Sequence, residues 1–424
     1  MVQRWPTRKL GEICEIIAGQ APPSEFYNDD GQGIPFLTVN SFGKVYPKVE
    51  RWTTKCLKKS CKEDVLFSVA GSLGLVNLGI NACITRSIFA LRPLNNIVLQ
   101  KFLFYALKKY GFQIALMGSG TAQKVITIKQ ISDFQIPFPP LPIQQKIVDI
   151  LDTIQLAIDI QDKIIEKSKE LKKSLMNLLF HYGLAGLRIK ELMSSRVGEL
   201  KSLEIEKLGL KLKKTEIGEI PEHWEVVRLG EVALEFLGGG TPSTNVIEYW
   251  DGEIPWTTSS IIDEDKVCIL NKGQRYISKL GLDNSSAQLV PAFNLLVGTR
   301  VGVGKVAINE IDIAINQDLT GIIYDRKKIN LLYFAYILKS PLCQEFFSNY
   351  KRGATIKGIP RNDLKAIPIP LPPLPEQQEI AEILQTIDQK IEIEKKKKEL
   401  YEELFKTMLN KIMNQEINLE NFEV

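Results

Sequence analysis

A long internal repeat constrains this chain more than any single motif does. The segment GTAQKVITIKQISDFQIPFPPLPIQQKIVDIL from Gly120 aligns without gaps on GATIKGIPRNDLKAIPIPLPPLPEQQEIAEIL from Gly353, a shift of 233 residues. Shorter matches precede it in the same order: LGEICEIIAG at Leu10 with LGEVALEFLG at Leu229, GIPFLTVNS at Gly33 with EIPWTTSSI at Glu253, and FLFYALKKY at Phe102 with YFAYILKSP at Tyr333. The shift grows from 219 to 233, so the second copy has gathered small insertions. At 424 residues the chain exceeds what one core usually organises, and two tandem copies of one plan account for that length.

Within each copy the pattern changes once. The first part mixes short β-type runs (VLFSVAG, NLLVGTR, KVAINEIDIAI) with Gly, Pro, Asn and Asp punctuation. One helix is expected in each, Val98 to Tyr110 and Asn330 to Lys339, which makes the unit a compact α+β domain. Proline-rich stops follow, PFPPLP at 137–142 and PIPLPPLP at 368–375, and a long helix begins after each. The expected boundaries are therefore a first domain at 1–142, a helix at 143–185, a connector at 186–222, a second domain at 223–375 and a final helix at 376–424.

Both helices carry heptads. In the first, Ile147, Ile154, Gln161, Ser168 and Leu175 form one row, and Ile150, Ala157, Ile164, Leu171 and Leu178 the other. In the second, Ile380, Ile387, Tyr401 and Met408 mark one row, beside Ile383, Leu384, Ile391, Leu404 and Phe405. Gln161 and Glu394 interrupt the two seams at equivalent places, as a register-fixing polar pair would in an antiparallel coiled coil. About 40 helical residues span about 60 Å, and the charged connector is long enough to bring the chain back to the far end of such a rod.

Composition narrows the chemistry. Residues 1–142 hold 17 Lys and Arg against 9 Asp and Glu, whereas 223–375 hold 16 of each, a balance that permits a nucleic-acid partner without requiring one. No run of about 18 apolar residues and no secretory leader pattern occurs, so a cytoplasmic protein without membrane contact is expected. Six cysteines without a C-x-x-C and only two histidines, His181 and His223, offer no metal set, and the thiols are expected to be reduced. GTRVGVGK at 298–305 has the wrong spacing for a phosphate loop and lacks the following Ser or Thr. Phe236 to Gly240 fits an F-x-G-x-G methyl-donor loop, but no amphipathic helix follows to close a βαβ unit, and the first copy reads IAGQA there. Neither histidine is placed for a catalytic triad, and no cofactor is expected.

The run KKTEIGEIPEHWEVVRLGEVALEFLGGGTPS, the IPWTTSS segment and the twice-occurring PPLPxQQxIxxIL block resemble the specificity subunit of a type I restriction-modification system. The resemblance covers essentially the whole chain; the first domain departs from it by opening with MVQRWPTRKLGEI in place of the TEIGEIPxHW start. It implies a non-catalytic subunit in which each α+β unit is a target recognition domain reading half of a split, asymmetric site in double-stranded DNA. It further implies that the two helices form an antiparallel coiled coil with pseudo-two-fold repeat symmetry, set the spacer and hold two methyltransferase subunits, with restriction subunits able to join. Half-site reading calls for polar or basic loop residues, placed alike in both copies. The candidates are Thr38, Asn40 and Ser41 with Thr257, Thr258 and Ser259; Ser72 with Arg300; Arg86 with Asn316 and Gln317; and Gln123 and Lys124 with Lys357. Positions shared by domains that read different words suit phosphate contact better than base choice.

Overall fold

The computed structural model describes residues 4–94, 96–120, 124–189, 210–352 and 358–419. The chain divides into two compact units, one of residues 1–162 and 396–424, the other of residues 163–395. Each contains one α+β domain together with part of each of two long helices, Leu141–Tyr182 and Leu374–Met413.

In the first unit, Cys14–Ala18, Ile88–Pro93, Val65–Ser68 and Val76–Leu78 form an antiparallel sheet in that spatial order. A second small sheet contains Ile34–Leu37 parallel to Ala82–Ile84. The strands Val65–Ser68 and Ala82–Ile84 are buried throughout, as expected of apolar runs covered on both faces. Helix Gln100–Leu116 covers the first sheet with Phe102, Leu103, Phe104, Tyr105, Ala106 and Leu107 all buried. Strand Thr7–Lys9 pairs with Gln135–Pro137, so the domain closes on itself just before its prolines.

The second unit repeats this plan. Its five-stranded sheet runs Ala233–Leu237, Leu319–Tyr324, Asn294–Gly298, Val306–Asn309 and Cys268–Leu270, and Trp250–Thr257 lies in a second sheet parallel to Ile313–Ile315. Helix Leu331–Lys339 takes the covering position, and Glu225–Arg228 pairs with Pro368–Leu371 to close the domain. A hairpin, Leu212–Thr215 with Gly218–Pro221, precedes it. The α+β expectation and the tandem repeat both hold.

The long helices pair antiparallel within each unit. Ile147, Val148, Leu151 and Ile158 from the start of one share a core with Phe405, Leu409, Ile412 and Met413 from the end of the other. In the second unit the ends are exchanged: Leu175, Met176, Leu179 and Phe180 join Ile380, Ala381 and Leu384. The first heptad row faces inward, and Gln161 and Glu394 are both buried. The second row differs from expectation. Ile164 and Leu171 are exposed, and the inward row is instead Leu151, Ile158, Ile165, Lys172 and Leu179, four residues after the first row rather than three. Lys172 hides this row from a hydrophobicity search, yet it is buried and its Nζ lies 2.6 Å from Asp388. In the second helix, Tyr401 and Leu404 are likewise exposed while Phe405 is buried. In the first unit, Asp162 sits between Lys398 and Lys44, each at 2.6 Å, and their hydrogen bonds hold its carboxyl below the usual range.

The Gln-Gln pair of the repeated block ties each domain to its helix. Buried Gln144 accepts from the Leu99 amide at 2.9 Å and donates to the carbonyls of Pro139 and Ile97 at 2.9 and 3.2 Å. Buried Gln377 accepts from the Asn330 amide at 2.8 Å and donates to Pro372 and Lys328 at 2.8 and 3.1 Å. One amide side chain thus satisfies the backbone where the covering helix begins and where the prolines end. The neighbouring Gln145 and Gln378 only bond i+4 carboxylates on the helix surface.

Candidate nucleic-acid interface

Matching hydrogen bonds bring the same loops together in both domains. In the first, the turn at Thr85–Ser87 is a hub: the Thr85 amide donates to Leu37 O at 3.3 Å, the Val69 amide to Ser87 O at 2.8 Å and the Gln20 amide to Ile84 O at 2.9 Å. In the second, the Asn316 amide donates to Thr257 O at 3.0 Å, Thr299 to Asp318 O at 2.8 Å and Gly240 to Ile315 O at 2.9 Å. A last segment closes each cluster, with Ile126 N on Val69 O and Ile359 N on Thr299 O. These strand ends pack on a rigid scaffold and offer their loops outward, the usual way a fold presents a binding surface.

The expected residues separate by burial. Asn40, Ser72, Arg86, Lys124, Arg300 and Gln317 are exposed in these loops, and Thr38, Ser41 and Thr258 are half-buried beside them. Thr257, Ser259 and Asn316 are corrected to structural roles, at 0, 3 and 4 % exposure. Thr257 ends a strand pointing into the core, and Asn316 bonds both Asp318 Oδ2 and the Asp318 amide, which shapes the hub turn. Gln123 and Lys357 lie outside the described residues.

The pairing of equivalents also shifts. Thr38 amide–Ser41 Oγ geometry starts a one-turn helix at Val39–Ser41, and its counterpart is Ser259–Ile261, capped by Thr258. Thr38 therefore matches Thr258, and Asn40 matches Ser260. Likewise, Gly74 N on Ser68 O corresponds to Gly304 N on Gly298 O, so Arg300 matches Ala70 and Ser72 matches Gly302. Arg86 matches Gln317 as expected.

Sequence reading missed an exposed polar ring in the second domain. Thr258 Oγ1 donates to Gln274 Oε1 at 2.9 Å, Gln274 Nε2 donates to Ser260 Oγ at 3.3 Å, and Ser260 and Thr258 hydroxyls lie 2.7 Å apart. Thr241 Oγ1 adds a bond to Gln317 Oε1 at 2.8 Å. Amides and hydroxyls held this way present both donors and acceptors, the groups that base edges in a major groove require. Beside them, the Arg275 guanidinium stacks 3.7 Å over the Trp250 ring.

The glycines set against a methyl donor are explained by packing. A Cβ on Gly239 would lie 2.2 Å from Asn316 O, and one on Gly240 would lie 2.0 Å from Ser286 Oγ. Gly19 occupies the equivalent place, with a Cβ 2.1 Å from Thr85 O. Only glycine lets the first strand reach the hub turn. We expect Gly239→Ala to cost about 1–3 kcal/mol by overpacking, whereas Gly238→Ala, which meets only the flexible end of Arg361 at 3.2 Å, should cost far less. Unfolding midpoints of the two variants check this; equal values would contradict it.

Other candidate chemistry finds bland places. GTRVGVGK is the turn between strands Asn294–Gly298 and Val306–Asn309, with Gly302 and Gly304 at φ +69° and +86°. His223 Nε2 and Trp224 Nε1 both meet Glu376 Oε2 at 3.0 Å, and His181 Nδ1 lies 2.8 Å from Asn177 O. The six cysteines are unpaired thiols; burial pushes Cys14 and Cys343 up to about 12, so both stay protonated near neutral pH. Among the described residues no helix is long and apolar enough to cross a membrane.

Comparison with known proteins agrees with this arrangement. The family profile described as "Type I restriction modification DNA specificity domain" matches residues 3–207 and again 221–403. The putative type I restriction enzyme MjaX specificity subunit of Methanocaldococcus jannaschii is 30% identical over 98% of this chain and 94% of its own length. The MjaVIII specificity subunit of the same organism is 28% identical over the same shares. A solved S subunit from M. genitalium shares the fold with a TM-score of 0.55 at 18% identity, covering 96% of this chain and 95% of that one. A second chain, from work titled as the structural basis of complex assembly and conformational transition of the type I R-M system, aligns with a TM-score of 0.59 at 17% identity over 97% of both chains. Each profile match takes in a domain and all or most of the helix that follows it, so the repeat, the latched helices and the profile describe one unit: this chain belongs to the type I restriction-modification DNA specificity family, whose members are recognition components rather than catalysts.

Proposed function

We propose that the chain reads a bipartite, asymmetric site in double-stranded DNA, with one recognition domain (residues 1–142 and 223–375) on each half. The paired helices set the gap between the half-sites and hold two methyltransferase subunits, and restriction subunits are able to join the same complex in the cytoplasm. The observation that carries this reading is the duplicated loop cluster, built on one hydrogen-bond plan in both domains but with different exposed side chains: Asn40, Arg86 and Lys124 in the first, Ser260, Gln274 and Gln317 in the second. A shared frame with divergent outward groups suits two domains that read different words. A related structure's title names complex assembly within a type I R-M system, which supports the partner reading.

Salt dependence tests the DNA contact. A complex of this chain with its methyltransferase subunits should lose affinity for a duplex steeply and log-linearly as salt rises, because neutralised phosphates release counterions. Binding that is insensitive to salt would instead mark the domains as apolar protein-docking modules.

A further inference from the structure

Two cavities in the second unit, of about 490 and 580 Å³, share Glu264, Asp265, Lys339 and Gln344 in their walls and therefore run into one groove. Together the walls carry nine basic and four acidic side chains. All four carboxylates are already matched. Asp388 lies 2.6 Å from Lys172, Asp265 3.0 Å from Lys169, Glu264 3.5 Å from Lys305, and Glu392 bridges Lys266 and Lys395 at 3.1 and 2.9 Å. Four cations remain over: among the described residues, Lys173, Lys339, Lys351 and Arg300 have no carboxylate at ion-pair distance.

One of these four cations is held in place, and the other three are exposed at the groove. Lys339 rises from the covering helix Leu331–Lys339 and donates to Glu264 O at 2.6 Å and Gly304 O at 3.4 Å. Burial, and then the nearby charge of Lys172, lowers its pKa against the smaller opposing pull of Asp265 and Glu264. The groove also ends at an expected recognition loop, since Arg300, Gly302 and Gly304 line one side of it.

The first unit keeps part of this arrangement: Lys108, opposite Lys339 at the 231-residue shift of the covering helices, donates to Lys44 O at 3.0 Å as Lys339 donates to Glu264 O, and burial lowers its pKa in the same way. There Tyr105 bonds Asp152 as Tyr336 bonds Asp388, and Val45 and Tyr46 stand where the 220-residue shift puts Asp265 and Lys266. Its cavity, of about 360 Å³, is lined by one lysine, Lys101, against Asp152 and Asp159. The repeat has kept a cavity and the half-buried lysine beside it, while the other charged residues of the cavity wall differ.

We propose that the groove of the second unit holds the sugar–phosphate backbone of double-stranded DNA, with Lys173, Lys339 and Lys351 on phosphates. This rests on the DNA reading above and adds to it a place on the second domain where sequence-independent attraction is exerted. Phosphate contacts position a protein without choosing bases, so these lysines set affinity and leave the recognised word alone.

The test uses the full chain in complex with its methyltransferase subunits. Lys173→Gln with Lys351→Gln removes two exposed lysines of the groove, and Lys279→Gln with Lys327→Gln removes the same charge from exposed side chains outside it. The slope of log affinity against log salt is measured for each, on the recognised duplex and on an unrelated one. The groove pair should lower the slope by about 2 on both duplexes, at about 0.9 per phosphate contact, while the control pair keeps the parent slope and the methylated motif stays the same. A parent slope retained by the groove pair, or a changed motif, overturns the groove and leaves the DNA reading standing. A parent complex without any salt slope overturns the DNA reading, and the groove with it.

Discussion

Replacing Gln377 by Leu should lower the stability of the second unit by about 3–5 kcal/mol. The leucine fills similar space and keeps water out, so the Asn330 amide and the carbonyls of Lys328 and Pro372 lose their partner without replacement. Each buried group left so costs about 1–3 kcal/mol. Gln144→Leu should act alike in the first unit through Leu99, Ile97 and Pro139. Gln378→Leu provides the comparison, because Gln378 bonds only the exposed Glu382 and its loss should stay below about 1 kcal/mol. Denaturant unfolding of the purified chain measures all three. If Gln377→Leu proves no worse than Gln378→Leu, the amide is not what fastens the domain to its helix.

The second large effect concerns spacing. Deleting one heptad from both long helices, in register, removes about 10 Å of rod at 1.5 Å per residue, which is about three base pairs at 3.4 Å each. The complex should then lose methylation at its original site and gain it at one whose halves are about three base pairs closer. A deletion in one helix alone slides seam residues such as Leu151 and Ile158 past Phe405 and Leu409, and should destroy folding or assembly instead. A folded, matched-deletion complex that still methylates the original spacing would refute the idea that these helices act as a ruler.

What was legible in the sequence is mostly what repeats. The ungapped 233-residue shift located both domains' closing strands and the starts of both helices, since prolines and the Gln-Gln pair are hard punctuation. The seam was half legible: Ile147 and Ile154 stand out, but the companion row contains Lys172, whose burial depends on Asp388, 216 positions away. Local periodicity therefore favoured Ile164 and Leu171, which face outward. Pairing of loop residues failed by one or two positions wherever the shift changes. Holding the 220-residue shift of the GIPFLTVNS match would have selected Ser260 opposite Asn40, as the hydrogen bonds do. Thr257 and Ser259 looked like surface hydroxyls because Thr and Ser carry no burial signal of their own; strand alternation and the short helix turn them inward. The roles of Gly19 and Gly239 depend on carbonyls far along the chain, at Thr85 and Asn316, and no local pattern announces such an approach.

The most direct test of the central claim is a map of methylated bases across genomic DNA, in cells expressing the methyltransferase subunits with and without this chain. A split motif of two short words with a constant gap, present only when the chain is present, is the predicted result. Methylation that persists unchanged without the chain, with no complex recovered, would contradict it.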